Sequence, residues 1–184
     1  MKPIAVITVT YSPGEYLGRF VDSLARATTR GTYTVLADNG STDGVPEDTA
    51  ATHPAVEFLP TGGNVGYGTA INIAVTCLVD KREKGEVDDE YFIISNPDVE
   101  FGEGSIDTLI ECASRWPDAA CVGPRSTDDY QWHWARTLQC NMAFQPVDDR
   151  LPPCFRHVDG TSSWLAVRVM SAGSLGCIRG HRWV

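Results

Sequence analysis

The chain has 184 residues, is 42% hydrophobic and carries a formal charge of −9, which allows one globular domain with a real core. No apolar run approaches the ~20 residues that span a bilayer, so a transmembrane segment is not expected. The acidic balance argues against nucleic acid or a polybasic membrane anchor, yet it permits a phosphorylated small molecule if a divalent cation or a helix N-terminus supplies local positive charge.

Met1-Lys2-Pro3 leads directly into Ile4–Thr10, a strand rich in Val, Ile and Thr, with no signal-peptide apolar region. A cytosolic protein is therefore expected, in which the 6 irregularly spaced cysteines stay reduced. Ser12-Pro13-Gly14-Glu15 has capping-box spacing, with Ser12 as N-cap and Pro13 at the first helical position. The helix it predicts places Tyr16, Phe20, Leu24 and Ala27 on one face and ends near Gly31. Thr32–Ala37 reads as a second strand that stops at Asp38-Asn39-Gly40-Ser41-Thr42-Asp43-Gly44. In an open α/β sheet such a carboxyl edge is where ligands bind, although these are also ordinary turn residues.

A short helix follows over Glu47–Thr52, then a third strand over Val56–Leu59. Gly62-Gly63-Asn64-Val65-Gly66-Tyr67-Gly68 opens a helix running to about Val79, and Asp80–Glu90 reads as a solvated loop. Tyr91–Ser95 is a fourth strand, ended by Asn96-Pro97-Asp98 because Pro97 cannot donate to a sheet ladder. Ser105–Arg115 is a helix and Ala119–Val122 a further strand. Strands alternating with helices imply βαβ units and a doubly wound, mainly parallel α/β sheet.

The glycine-rich segment lacks the Gly-Lys-Ser/Thr of a P-loop, and its G-x-x-G-x-G spacing departs from the dinucleotide fingerprint. It offers close backbone approach, with Asn64 to cap the helix or donate an amide to a ligand; a glycine-rich capped turn is the competing reading. Asp98 is a hard carboxylate suited to Mg²⁺ or Mn²⁺, against the alternative of a strand-terminating turn.

Thr10-Tyr11-Ser12, Asp38–Gly44, Gly63-Asn64-x-Gly66-Tyr67-Gly68 and Asn96-Pro97-Asp98 each follow a strand, in that order. This series resembles the amino-terminal half of family 2 glycosyltransferases of the GT-A fold. Within that family it is most similar to actinobacterial rhamnosyltransferases, which add L-rhamnose from dTDP-rhamnose to a polyprenyl-diphosphate-linked acceptor. The likeness covers residues 4–124. It implies an inverting transfer from a dTDP- or UDP-linked sugar, with a divalent metal, Mg or Mn, on the diphosphate. It further implies a nucleotide-sugar site of Thr10, Tyr11, Asp38, Asn39, Gly63, Asn64, Gly66 and Asn96. Thr10 and Tyr11 would form its wall, Asp38 would contact the base or ribose, and Asp98 would hold the metal. Asn96 takes the first place of what is often Asp-x-Asp. A lipid-linked acceptor would draw the protein to the inner face of the cell membrane.

The likeness implies a general base from a Glu-Asp pair well past the metal motif, and no such pair follows Asp98; the last Glu is Glu111. The catalytic base is thus unassigned. Composition shifts near Arg125: residues 1–125 carry 9 basic and 19 acidic side chains, residues 126–184 carry 6 and 5. Residues 1–125 are read as the nucleotide-sugar domain and 126–184 as an atypical, irregular tail from a truncated or frameshifted gene, with a strand at most over Leu165–Met170. Cys140, Cys154 and His157 lack a fourth zinc ligand, His133 lies among tryptophans, and Asp128-Asp129 and Asp148-Asp149 read as solvated turns. The competing function is a non-catalytic remnant that binds a nucleotide sugar; a nucleotidyltransferase is disfavoured because no basic glycine loop follows the first strand.

Overall fold

The computed structural model describes residues 1–115 and 121–122, together with the strand segments 155–157 and 164–168. Four strands form the parallel body of a sheet: β1 (Ile4–Thr10), β2 (Thr32–Asp38), β3 (Val56–Pro60) and β4 (Tyr91–Ser95). The short β5 (Val99–Phe101) leaves it, and β6 (Cys121–Val122), β7 (Phe155–His157) and β8 (Trp164–Arg168) complete the strands described. The six-stranded order is β3-β2-β1-β4-β8-β6, with β8 antiparallel to both its neighbours. β5 and β7 pair antiparallel as a separate ribbon. The mainly parallel α/β sheet expected from the sequence is thus present.

Alternation along β1 explains the two-sided burial. Ile4 and Val6 meet Leu17, Phe20 and Leu24 of α1 (Tyr16–Ala27) and Ile106 and Leu109 of α4 (Ser105–Arg115). Ala5 and Ile7 face the other way, onto Ala70, Ala74 and Leu78 of α3 (Tyr67–Glu83). The two alanines let α3 lie close to the sheet. Phe101 closes the first cluster edge-on against Phe20, ring centroids 6.0 Å apart at 64°. α2 (Val45–Thr52) packs beside β3.

Several boundaries differ from the sequence reading. Ser12 caps no helix: α1 starts from Glu15 without a side-chain cap. Ser12 instead adopts φ 50° and engages the loop after β2. α3 continues to Glu83, one turn past Val79, because Lys81 is anchored to Glu57 at 3.4 Å. β5 was not expected. Of Ala119–Val122 only Cys121–Val122 is described, and the strand looked for over Leu165–Met170 lies at Trp164–Arg168. His133, Cys140, Cys154, the His157 side chain, Asp128-Asp129 and Asp148-Asp149 lie outside the described residues. Cys77 is not in a disulfide. Among the described residues no helix is long and apolar enough to cross a membrane.

Candidate functional site at the carboxyl edge of the sheet

β1 and β2 end together, with Thr10 and Asp38 as their last register pair. Asp38 is only 5% exposed, and both its oxygens are occupied. Oδ1 accepts from Thr10 Oγ1 at 2.8 Å and from Ser41 Oγ, and Oδ2 from the amides of Gly40 and Ser41 at 3.1 and 3.0 Å. Burial alone would raise this carboxyl, but the donors from Ser41, Thr10 and Gly40 outweigh it and hold it below the ordinary carboxylate range.

Ser41 passes the order outward. Its hydroxyl accepts the Ser12 amide at 2.8 Å, the Ser12 hydroxyl accepts the Thr42 amide at 3.1 Å, and Asp43 accepts the Gly14 amide at 3.0 Å. These bonds tie the loop after β1 to the loop after β2 and hold Ser12 in a left-handed conformation that costs a non-glycine residue about a kcal/mol.

Asn39 ties the second loop to the third. Its Nδ2 donates to Asn64 Oδ1 at 3.0 Å, while its Oδ1 accepts from the Val65 amide at 3.0 Å and Thr61 Oγ1 at 3.1 Å. Asn64 Oδ1 also accepts the Gly66 amide at 3.2 Å, so Asn64 braces its own loop and does not cap α3, which starts without a side-chain cap. Gly63 at φ 128° and Gly66 at φ 86° occupy backbone space that side chains disfavour.

The fourth loop contributes Asn96 and Asp98. Tyr67, the first residue of α3, donates its hydroxyl to Asn96 Oδ1 at 3.1 Å. Tyr67 keeps 47% of its surface exposed, but desolvation of its hydroxyl, with the charge of Asp98 second, pushes its pKa up to about 12. Asp98 Oδ1 is buried and has no hydrogen-bond partner among the described residues.

An open cleft of about 490 Å³ lies among these loops, lined by Val9, Tyr11, Ser12, Pro13, Tyr16, Asn39, Asn64, Tyr67, Asn96, Pro97 and Asp98. Of the residues expected from the sequence, Tyr11, Asn39, Asn64, Asn96 and Asp98 line it. Thr10, Asp38, Gly63 and Gly66 stand behind the lining as its frame. Tyr67, Pro13 and Tyr16 were not anticipated as lining residues; Tyr67 lies inside the glycine-rich segment, and that position was its only signal. The one Glu-Asp dipeptide of the chain, Glu47-Asp48, lies in the first turn of α2 and does not reach the cleft.

Among the described residues, no Lys or Arg lines the cleft. Among the described residues no three His, Cys, Asp or Glu side chains gather into a metal cage. The donor set is one carboxylate with an unpartnered buried oxygen. That fits a hard divalent ion which takes its remaining ligands from phosphate and water, and it does not fit a structural metal.

The family model for glycosyl transferase family 2 matches residues 5–171, past the compositional shift at Arg125. Over 128 residues the chain is 50% identical to N-acetylglucosaminyl-diphospho-decaprenol L-rhamnosyltransferase of Mycobacterium tuberculosis, covering 68% of this chain and 41% of that protein. The chain thus spans less than half the length of this curated relative. Among solved structures, S. aureus TarS 1-349 superposes with a TM-score of 0.52 at 16% identity, covering 70% of this chain and 37% of that fragment. The mannosyltransferase PcManGT of Pyrobaculum calidifontis, solved with GDP-Man and Mn²⁺, gives 0.53 at 20% identity, covering 68% and 36%. The fold is that of GT-A glycosyltransferases.

Proposed function

The chain belongs to glycosyl transferase family 2, and on that premise we propose that its cleft holds a nucleoside-diphosphate sugar, dTDP- or UDP-linked, for transfer of the sugar with inversion. L-rhamnose as the sugar and a polyprenyl-diphosphate-linked acceptor follow from the mycobacterial relative's name and from its 50% identity to this chain. The observation that carries the reading is the buried Asp98 Oδ1, unpartnered among the described residues, in a cleft whose described lining has no basic side chain.

In this reading Asp98 holds Mg²⁺ or Mn²⁺. When bound, the ion supplies positive charge to the diphosphate leaving group. The chain's own residues bind and orient. Tyr11, 63% exposed at the rim, offers a ring face to the base. Asn64 uses its oxygen internally and keeps Nδ2 for the ligand. Thr10 and Asp38 act as positioning residues, because a carboxylate with four internal donors has no acceptor capacity left over. Residues 1–125 form the donor-binding unit, working at the cytoplasmic membrane face where a lipid-linked acceptor lies.

A second reading is a domain that binds a nucleotide sugar without turnover. Calorimetry with dTDP and UDP, with and without Mn²⁺, tests the binding half. A donor-hydrolysis and transfer assay then separates the two: turnover establishes the enzyme, binding without turnover the second reading. Absence of nucleotide binding would reject both.

A further inference from the structure

Asn96, in the loop after β4, and Tyr67, 29 residues earlier at the start of α3, are joined by one hydrogen bond at 3.1 Å. An asparagine amide can present either its oxygen or its nitrogen, and the group engaged at one end leaves the other group free. Here the phenol takes the oxygen. Asn96 Nδ2 has no hydrogen-bond partner among the described residues, and Asn96 lines the cleft next to Asp98. Tyr67 itself is fixed as the first residue of α3, whose backbone starts at Gly66.

We infer that Tyr67 is a positioning residue that locks the Asn96 amide with its N–H₂ toward the cleft, so that beside the Asp98 carboxylate the donor nucleotide meets a neutral hydrogen-bond donor. The ligand atom it selects is an acceptor oxygen of the nucleoside diphosphate. A second carboxylate at residue 96 would repel that oxygen; the locked amide attracts it and leaves Asp98 as the single negative charge among the described lining residues. The inference rests on the nucleotide-binding reading above and adds to it the side chain that sets the polarity of the site.

The test is calorimetric titration of UDP and dTDP, in Mn²⁺, into the full chain and its Tyr67→Phe, Asn96→Ala and doubly substituted forms, with thermal midpoints measured alongside. Tyr67→Phe keeps the ring and removes only the hydroxyl. It is expected to weaken binding about five-fold, the worth of one oriented hydrogen bond, with an unchanged midpoint. In the Asn96→Ala background, where no amide remains to orient, the same substitution is expected to change nothing further. Wild-type-like affinity of Tyr67→Phe, or losses that simply add in the double variant, would overturn the inference while leaving nucleotide binding intact. A wild-type chain that binds neither nucleotide would overturn both.

Discussion

Thr10 donates its hydroxyl to Asp38 Oδ1 at 2.8 Å, across the last register pair of two parallel strands and between two side chains that are almost wholly buried. Substituting Thr10 by Val keeps the shape and removes one donor to a charged acceptor, which costs about 1.5–3 kcal/mol in chemical denaturation. Asp38→Ala orphans that hydroxyl, the Ser41 hydroxyl and two amides, and is expected to cost at least about 3 kcal/mol. Both variants should then lose nucleotide affinity in step with stability. A variant that binds poorly but unfolds like the wild type would instead mark Asp38 as a direct ligand contact.

This pair also shows what the sequence can and cannot tell. Ile4–Thr10 and Ser105–Arg115 were legible to the residue, because β-branched runs and a periodic apolar face are local signals. The order of motifs after successive strands was legible for the same reason. Which atoms those motifs spend on one another was not. Asp38 reads as an available carboxylate until Thr10, 28 residues earlier, and Ser41 are brought against it. Ser12 reads as a cap until the loop after β2 claims its hydroxyl. Val99–Phe101 is three residues long, too short for alternation to register.

Acid should unfold the protein through a few identifiable carboxylates. Asp38, Asp88 and Asp107 are each held below their ordinary value of 3.8 in spite of burial: Asp38 by Ser41 and Thr10, Asp88 by Arg30 and the Tyr91 and Glu90 amides, Asp107 by Thr28 and Thr29. A carboxyl depressed in the folded state contributes stability that is fully present above its unfolded value and lost as pH falls through the folded one. Urea midpoints should therefore be flat with respect to these groups above about pH 5 and fall steadily below about pH 4. Asp88→Asn removes one of the three, and its stability curve should be flatter across the acid range; an unchanged slope would exclude Asp88 from the effect.

Asn39 holds the second and third loops together through both ends of its amide. Asn39→Asp keeps the acceptor for the Val65 amide but sets a carboxylate oxygen against Asn64 Oδ1, where a donor stood. A loss of about 1–3 kcal/mol is expected, with amide hydrogen exchange accelerated at Val65 and Gly66 ahead of the sheet. Uniform acceleration across β1 and β2 would show that the residue supports the fold as a whole and not this loop.

Asp98 should be a residue whose removal helps the fold and harms the function. Its Oδ1 is buried without a partner among the described residues, and its charge lies close to the Tyr67 hydroxyl. Desolvating an oxygen without compensation costs stability, so Asp98→Asn in metal-free buffer is expected to unfold at the same temperature as the wild type or higher, by up to about 1 kcal/mol. The same variant should lose the Mn²⁺-dependent part of nucleotide binding. Undiminished metal dependence would remove Asp98 from the site.

The role of the tail can be decided at β4. Tyr91–Ser95 lies inside the sheet, hydrogen-bonded to β1 on one side and to β8, from residues 164–168, on the other. If residues 126–184 are an incidental appendage, a chain ended after Arg125 should stay monomeric and unfold like the full chain. If β8 is part of the folded unit, that shorter chain exposes the apolar run Tyr91-Phe92-Ile93-Ile94 along an unpaired edge, a template for pairing with another copy. The antiparallel register from Tyr91 with Arg168 to Ser95 with Trp164 favours the second outcome. Light scattering should then show the shortened chain aggregating at concentrations where the full chain does not, and Ile94→Lys on the shortened chain should suppress it by placing a charge on the open edge.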